Sequence, residues 1–305
     1  MQKIFTIWFW NSWLKNIEAD MKIFKSSGIF MAVVLIFLLS YYFIVYKNKP
    51  NPPQANNQPL LNTADTSKTL RKQYQFTNDT TVTIEFLTGK FNPAKDTNFI
   101  EVDEEYANRR NIYLLKETYQ AFIEMYYAAQ NEGVKLKIIS GTRNFNYQKS
   151  IWEQKWNGSR LVEGKNLAAT IKDTLERARI ILKYSSMPGT SRHHWGTDID
   201  LNSMENNYFD LPEGKKVYEW LCNYASKYGF CQPFITMGDS RKTGYQEEKW
   251  HWSYMPLSKV FLNEYRKKVT YSSISEFSGS KAAKELDVIT NYVMSINEDC
   301  VTITY

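Results

Sequence analysis

Alternation of apolar and polar residues predicts short β-strands in four segments of the chain. Residues two apart on a strand share a face, so a period of two indicates a strand with one buried side. In residues 198–201 the apolar Ile199 and Leu201 share one face. The aspartates Asp198 and Asp200 share the other. The predicted strands are residues 81–86, 135–139, 198–201 and 250–252.

Apolar stripes with the period of an α-helix separate these strands. Leu114, Phe122 and Tyr126 belong to such a stripe. The predicted helices are residues 104–130, 147–156, 168–184 and 213–228, and Gly229 closes the last of them. A mixed order of strands and helices is typical of the α+β class, which we therefore expect.

An uncharged run of 21 residues, from Ser26 to Tyr46, predicts a membrane-spanning helix near the N-terminus. At about 1.5 Å per residue it is long enough to cross a hydrocarbon core of about 30 Å. Its far end is rich in tyrosine and has no small-residue cleavage site of the kind that ends a signal peptide. We expect a single-pass anchor in a bacterial inner (cytoplasmic) membrane, with residues 1–25 in the cytoplasm and the folded domain on the periplasmic or extracellular side.

The segments around this anchor set the expected domain boundaries. Residues 1–20 are rich in tryptophan, and they either form an interfacial helix or precede a true start at Met21. Residues 47–75 are rich in Asn, Pro and Gln, a composition typical of a linker. One folded domain is expected over residues 76–268, followed by a C-terminal extension, residues 269–305, to which the pattern assigns no structure.

The formal net charge of +6 is concentrated near the N-terminus. Residues 1–50 carry six lysines against two acidic residues, a net +4, so the rest of the chain is close to neutral. A nucleic-acid interface would need basic residues clustered on the folded domain. We therefore expect no nucleic-acid partner.

The three cysteines leave two interpretations open. Outside the cytoplasm, Cys222 and Cys231 could form a disulfide, since they lie nine residues apart. Alternatively, both are unpaired residues of the core. Cys300 stands alone in either case.

All three histidines lie in two short segments that also carry carboxylates. His193 and His194 precede Asp200, and His251 follows Glu248. Two imidazoles and one carboxylate suit Zn²⁺, with the fourth coordination position left for water. A carboxylate just outside this set can then accept the proton of that water. The pattern predicts a zinc-dependent hydrolase.

The predicted strands indicate how these residues would meet. Asp198 and Asp200 project together from the polar face of their strand. The preceding loop can turn His193 toward the same point, and His251 on a separate strand completes a three-ligand set. Asp198 in place of Asp200 is an alternative ligand. Glu248 lies three residues before His251, near enough to touch the bound water.

The order of these residues resembles a known group of zinc peptidases. The motif Ser191-x-His193-x-x-Gly196-x-Asp198-x-Asp200, followed by Glu248-x-Trp250-His251, is similar to that of the VanY-type D-alanyl-D-alanine carboxypeptidases. The segment Ser140-Gly141-Thr142-Arg143-Asn144-Phe145-x-x-Gln148 resembles the Ser-x-x-Arg-Ser-x-x-x-Gln segment of the same group. The resemblance covers about residues 80–265. It implies a hedgehog/D-Ala-D-Ala peptidase-like fold, with a small antiparallel sheet flanked by helices.

Carried over position by position, the resemblance implies specific roles. His193, Asp200 and His251 would bind the zinc ion. Glu248 would act first as general base and then as general acid. Arg143 would stabilise the oxyanion that forms on the scissile carbonyl, an effect of roughly 3–4 kcal/mol in comparable sites.

Four further positions are assigned with alternatives. Gln148 and Ser191 would contact the substrate, or they are a helix-surface amide and a turn hydroxyl. Asp198 stands where the family usually has a small residue. It accepts an N–H from a metal-binding imidazole, pairs with an arginine such as Arg143 or Arg192, or is solvated. His194 is expected at the rim of the cleft, because the family spacing to Asp200 belongs to His193.

These features favour a membrane-tethered zinc D,D-carboxypeptidase that removes the terminal D-alanine from peptidoglycan stem peptides. A second hypothesis keeps the zinc chemistry but places the cut within a stem peptide or a cross-link. A third is a non-enzymatic zinc module that binds peptidoglycan or a partner protein. The presence of Glu248 and Arg143 argues against the third, because a structural zinc site needs neither a base nor an open coordination position.

Overall fold

The alternating segment Asp198–Leu201 forms an inner strand of an antiparallel sheet in the computed structural model, which describes residues 82–302. The strands are β1 (Phe99–Glu101), β2 (Tyr113–Leu115), β3 (Ile138–Ser140), β4 (Asp198–Leu201), β5 (Phe230–Cys231) and β6 (His251–Tyr254). The main sheet has the order β3-β4-β6-β5, and each of its pairs is antiparallel. Strands β1 and β2 form a separate antiparallel pair.

The α-helices of the described residues pack with these strands in two core clusters. They are α1 (Ile84–Leu87), α2 (Lys116–Asn131), α3 (Phe145–Trp156), α4 (Leu167–Thr170), α5 (Thr174–Leu182), α6 (Pro212–Tyr224), α7 (Met255–Lys268), α8 (Ala282–Glu285) and α9 (Glu298–Thr302). Short 3₁₀ turns cover Pro93–Lys95, Arg192–Trp195, Asn206–Asp210, Ala225–Tyr228 and Tyr271–Ser273, and a π-helical turn covers Ile289–Val293. The predicted α+β class, with small antiparallel sheets and helices, is confirmed.

Within residues 82–302, no helix is both long enough and apolar enough to cross a membrane. The predicted anchor at residues 26–46 lies outside the described residues. The same holds for the N-terminal segment and for the predicted linker at residues 47–75.

The main sheet has one apolar face and one polar face. Ile199 and Trp252 on the apolar face pack in one core cluster with Phe122 of α2 and Leu221 of α6. Full burial of a side chain of this size contributes roughly 1.5–3 kcal/mol. On the polar face, Ser253 hydrogen-bonds a serine of α7. The second core cluster, which α3, α5 and α7 help to build, lies on this side.

Side-chain caps account for two differences from the sequence predictions. Residues 81–86 were expected as a strand, but Thr83 accepts the N–H of Phe86 through its hydroxyl and starts helix α1 instead. The helix predicted over residues 168–184 is divided into α4 and α5. Asp173 accepts the backbone N–H groups of Leu175 and Glu176 and so starts a new helix.

The helix predicted from residue 104 begins only at Lys116. Tyr113–Leu115 pair with β1 instead, and Leu114 and Leu115 are buried there. A short apolar run fits a strand as well as a helix, so tertiary pairing decides between them. The other predicted elements agree with the structure to within about four residues.

The C-terminal extension belongs to the same folded unit as the domain before it. Ile274, Phe277 and Val293 are buried in the core cluster that contains α3 and α7. Cys300 forms a disulfide with Cys231, 69 residues earlier. The candidate pairing of Cys222 with Cys231 is therefore wrong, and Cys222 is an exposed free thiol.

We expect Cys300→Ala to lower the free energy of unfolding by about 2–4 kcal/mol, because the disulfide restricts the unfolded chain over a long loop. Urea unfolding under oxidising conditions measures this change. Cys222→Ala is the matched control and should change stability by less than about 0.5 kcal/mol. Equal stability of the two variants would contradict the prediction.

Candidate metal centre and cleft

Strand pairing places Asp200 and His251 side by side. The two residues are directly opposite each other in β4 and β6, and each is 2% exposed. Side chains of such a pair start about 4.5–5.5 Å apart at Cβ and project from the same face. A slip of one residue in register would turn one of them to the apolar face.

A 3₁₀ turn brings His193 to the same point. The turn spans Arg192–Trp195 and ends at Gly196, whose φ of 72° is left-handed. A Cβ at Gly196 would lie 2.4 Å from the ring of Phe99, so both the conformation and the space require glycine. The His193 Nδ1–H donates to the carbonyl oxygen of Gly141 at 2.8 Å, which leaves Nε2 directed at the strand pair.

The atoms of His193, Asp200 and His251 form a triangle with nearly equal sides. Nε2 of His193, Nδ1 of His251 and Oδ1 of Asp200 are each 3.3 Å from the other two. Tetrahedral zinc with ligand distances of about 2.0–2.1 Å has ligand atoms separated by about 3.3–3.4 Å. Asp200 Oδ1 is buried and has no hydrogen-bond partner among residues 82–302. The donor set and its spacing therefore fit a zinc ion, and the three residues could hold a metal together.

Charges around the triangle favour a cation at its centre. Burial lowers the pKa of His193, with a further contribution from Arg143, so this imidazole is in the neutral form that metals bind. Burial opposes a charge on His251, but the carboxylates of Asp198, Asp200 and Glu248 raise its pKa well above the usual value. The same carboxylates would stabilise a bound metal ion.

Asp198 hydrogen-bonds the His251 ring through the nitrogen that does not belong to the triangle. Its Oδ1 accepts the His251 Nε2–H and the Arg192 Nε–H, each at 3.0 Å, and its Oδ2 accepts the Thr197 hydroxyl at 2.6 Å. Burial opposes ionisation, yet Arg192 and His251 hold the pKa of Asp198 well below its usual range. The sequence left three roles open for Asp198, and the structure shows two of them: it accepts an imidazole N–H and pairs with an arginine. Asp200, not Asp198, is the carboxylate within the triangle.

We expect Asp198→Asn to weaken zinc binding roughly 10- to 100-fold, because it removes the charged acceptor that orients the His251 ring. Competition with a zinc chelator, measured on folded protein, gives the affinity. Glu247→Gln removes a carboxylate from the same cleft without touching the triangle and is the control. Unchanged affinity in Asp198→Asn would contradict the orienting role.

Glu248 lies beside the triangle. Its Oε2 is 3.1 Å from Nδ1 of His251, and its side chain is 15% exposed. Backbone bonds hold the residue in place: its N–H donates to the carbonyl of Phe234, and its own carbonyl accepts from Gln232 Nε2. A carboxylate in this position can exchange a proton with a water at the triangle.

Arg143 lines the cleft that opens onto these residues. The cleft has a volume of about 710 Å³ and includes the triangle, Glu248 and Ser191 in its wall. The Nε atom of Arg143 is buried without a hydrogen-bond partner, while the backbone N–H donates to the His193 carbonyl. The guanidinium is therefore held near the triangle, with a donor left for a ligand.

The other two predicted contact residues lie in different places. Ser191 lines the cleft, and its buried hydroxyl has no hydrogen-bond partner. Gln148 is 1% exposed and does not line the cleft, and its Nε2 donates to the carbonyl of Ser186. Gln148 thus supports the Ser186 segment through Nε2, while its buried Oε1 has no hydrogen-bond partner among residues 82–302. Its contact with substrate stays a prediction.

His194 was expected at the rim of the cleft, but this expectation is wrong. It is fully buried, its Nδ1–H donates to the Arg143 carbonyl at 2.6 Å, and its Nε2 accepts the Gly189 N–H at 3.0 Å. Burial lowers its pKa to about 3. Both ring nitrogens of His194 are thus occupied by backbone, which leaves no atom to bind a metal.

Lys155, which was not among the predicted site residues, is buried in the wall of the cleft. A signal was available, because Lys155 lies seven residues after Gln148 on α3 and so occupies the same helical face. A lysine on the buried face of a helix is uncommon, since burial of its charge is costly.

Two imidazoles and a carboxylate in a triangle, with a further carboxylate and an arginine beside them, define a candidate metal-dependent hydrolase site on an α+β domain. Residues 111–257 match the family model described as VanY, D-alanyl-D-alanine carboxypeptidase. The matched residues contain every predicted site residue.

Curated relatives carry related names. A putative carboxypeptidase, YodJ, of Bacillus subtilis (strain 168) is 28% identical over 175 residues, which cover 55% of this chain and 56% of the relative. A D-alanyl-D-alanine carboxypeptidase of Enterococcus faecium is 30% identical over 148 residues, 48% of this chain and 39% of the relative. The chain thus spans about half the length of the curated relatives it matches.

Among solved structures, VanYB in complex with D-alanine-D-alanine is 19% identical to this chain, with a TM-score of 0.40. The match covers 57% of this chain and 91% of that one. The LdcB LD-carboxypeptidase is 22% identical, with the same TM-score of 0.40, and the match covers 57% of this chain and 79% of that one.

Proposed function

We propose that this chain is a zinc-dependent D,D-carboxypeptidase that hydrolyses the terminal D-alanine from peptidoglycan stem peptides. The observation that carries the proposal is the triangle of His193, Asp200 and His251 with the Glu248 carboxylate 3.1 Å from one of its atoms, all within the residues that match the VanY family model. Relatives named D-alanyl-D-alanine carboxypeptidase support the same substrate class.

His193, Asp200 and His251 would hold the zinc ion. When bound, zinc supplies the Lewis acidity that polarises a carbonyl and makes a water nucleophile available near neutral pH. The chain's part is to fix the ligands: Gly141 orients His193, and Asp198 orients His251.

Glu248 moves the proton. It accepts a proton from the attacking water as the water oxygen bonds to the carbonyl carbon of the penultimate residue. It then donates this proton to the leaving nitrogen as the C–N bond breaks. The products are the shortened peptide and free D-alanine. Proton transfer by a positioned carboxylate contributes roughly 10²–10⁴-fold to the rate.

Arg143 stabilises the charge that develops during the attack. Its side chain lines the cleft, and its Nε–H has no hydrogen-bond partner among residues 82–302, so the guanidinium keeps donors that can bind the oxyanion. Removing one such donor costs roughly 10²–10³-fold in rate in comparable sites.

We also propose that residues 26–46 anchor the domain in the bacterial cytoplasmic membrane, facing outward, where the substrate lies. The proposal rests on the length and apolar character of that segment. Fractionation tests it: the full-length chain should stay with membranes after a carbonate wash. Recovery in the soluble fraction would contradict anchoring.

Mass spectrometry of a muramyl pentapeptide incubated with the full-length, zinc-loaded chain tests the function. We expect loss of a single terminal D-alanine. Chelation of zinc should stop the reaction, and added zinc should restore it. Cleavage only within the stem or in cross-linked muropeptides would indicate an endopeptidase. Survival of every substrate would indicate a non-catalytic binding module.

A further inference from the structure

A buried lysine lies in the wall of the cleft, on the side formed by α3. Lys155 is 8% exposed and lines the cleft together with Ser185. Its Nζ donates to the Ser185 hydroxyl oxygen at 2.5 Å. Among residues 82–302, no carboxylate lies within 4.0 Å of this ammonium group. The lysine is therefore held in place without a counter-ion.

Two arginines of the cleft wall act electrostatically on Lys155. Arg143 and Arg160 also line the cleft, and neither forms an ion pair with another described residue. Lys183 differs, because it pairs with Glu163 at 3.1 Å. Lys155, Arg143 and Arg160 thus line the cleft with no carboxylate of residues 82–302 within ion-pair distance, an arrangement that favours an anionic ligand beside them.

Lys155 keeps its charge near neutral pH. Burial, together with Arg160 and Arg143, lowers its pKa to about 8, and Glu248 opposes this change. Since this value lies above 7, the ammonium form predominates at neutral pH. A buried ammonium without a counter-ion is costly, and an anion that binds beside it would offset that cost.

We propose that Lys155 and Ser185 bind a carboxylate of the peptide substrate. The ammonium group has three donors, of which one contacts Ser185. Because lysine has no acceptor, the Ser185 hydroxyl proton is also free to donate. Two adjacent donors, one of them charged, suit the two oxygens of a carboxylate.

This proposal rests on the proposed function and deepens it, since it adds a residue that selects acidic substrates. A stem pentapeptide can offer three carboxylates: the C-terminal one, the α-carboxylate of a γ-linked glutamate, and the side-chain carboxylate of a diaminopimelate. All three have the chemistry that Lys155 would recognise. The experiment distinguishes these sources.

Binding is measured by calorimetry on the full-length, zinc-loaded chain carrying Glu248→Gln, so that no substrate is consumed. Lys155→Met is added to remove the charge while keeping the length, and Lys155→Arg restores a cation. Lys149→Met, on the same helix but outside the cleft wall, is the matched control. Zinc content and thermal unfolding verify that each variant is folded.

Four peptides are compared: the parent pentapeptide, its C-terminal amide, its lysine-for-diaminopimelate analogue and its isoglutamine analogue. We expect Lys155→Met to weaken binding of the parent roughly 10-fold or more, and Lys155→Arg to restore part of it. The analogue that lacks the recognised carboxylate should bind weakly to both proteins, with no further loss in Lys155→Met. That analogue identifies the source of the carboxylate.

Equal binding of the parent by both proteins would overturn the proposal, as would an equal loss for all four peptides, because Lys155 would then contact none of the carboxylates. No binding of any peptide to the Glu248→Gln chain would overturn it as well. Failure of the proposed function is recognised separately: the peptides would bind with this Lys155 dependence while the wild-type chain released no D-alanine.

Discussion

Glu248→Gln is expected to lower the rate of D-alanine release roughly 10²–10⁴-fold while the protein keeps one equivalent of zinc. The amide has nearly the same shape as the carboxylate but cannot accept the proton of water. Because Glu248 is not one of the three residues of the triangle, metal binding should survive. Release of D-alanine and zinc content are measured on the same preparation.

Glu247→Gln provides the control for this experiment, since Glu247 is the adjacent residue and also lines the cleft. It should retain activity within a few-fold of the wild type. If Glu248→Gln were as active as Glu247→Gln, Glu248 would not be the proton carrier. If Glu248→Gln lost its zinc, Glu248 would belong to the metal site instead.

His251→Ala is expected to abolish both stoichiometric zinc binding and turnover. It removes one of the three atoms that stand 3.3 Å apart. It also leaves Asp198 without its imidazole partner. Loss of an outer partner alone weakens metal binding roughly 10- to 100-fold, so loss of a ligand should exceed that range.

His194→Gln tests whether the neighbouring His193, and not His194, binds the metal. His194 hydrogen-bonds only backbone groups, so this variant should lose stability but keep one equivalent of zinc. Zinc content by elemental analysis, together with thermal unfolding, measures both effects. A His251→Ala protein that still held one zinc ion, or a His194→Gln protein that was folded without it, would contradict the proposed ligand set.

Much of this site could be predicted from the sequence because it is built on strands. The alternation in residues 198–201 indicates which side chains share a face, and the structure has that strand with the same bounds. The position of His251 directly opposite Asp200 could not be read from the chain, since cross-strand register depends on tertiary pairing. The clustering of histidines and carboxylates indicated His251 as a third ligand, and the resemblance to a known family implied the same role.

Other features depend on contacts between residues far apart in sequence. The disulfide joins Cys231 to Cys300 because the C-terminal extension packs against the domain, whereas the sequence suggested only the nearer Cys222. A strand was expected at residues 81–86, but Thr83 caps a helix that begins at Ile84. The disulfide depends on tertiary packing and the helix on a local hydrogen bond. Neither can be predicted from the pattern of apolar residues alone.

The most direct test of the central claim is anomalous diffraction at the zinc edge from crystals of the zinc-loaded protein. We expect one strong peak about 2.0–2.2 Å from Nε2 of His193, Nδ1 of His251 and Oδ1 of Asp200. A peak coordinated by other residues, or no peak in this cleft, would contradict the account of these three side chains as a metal centre.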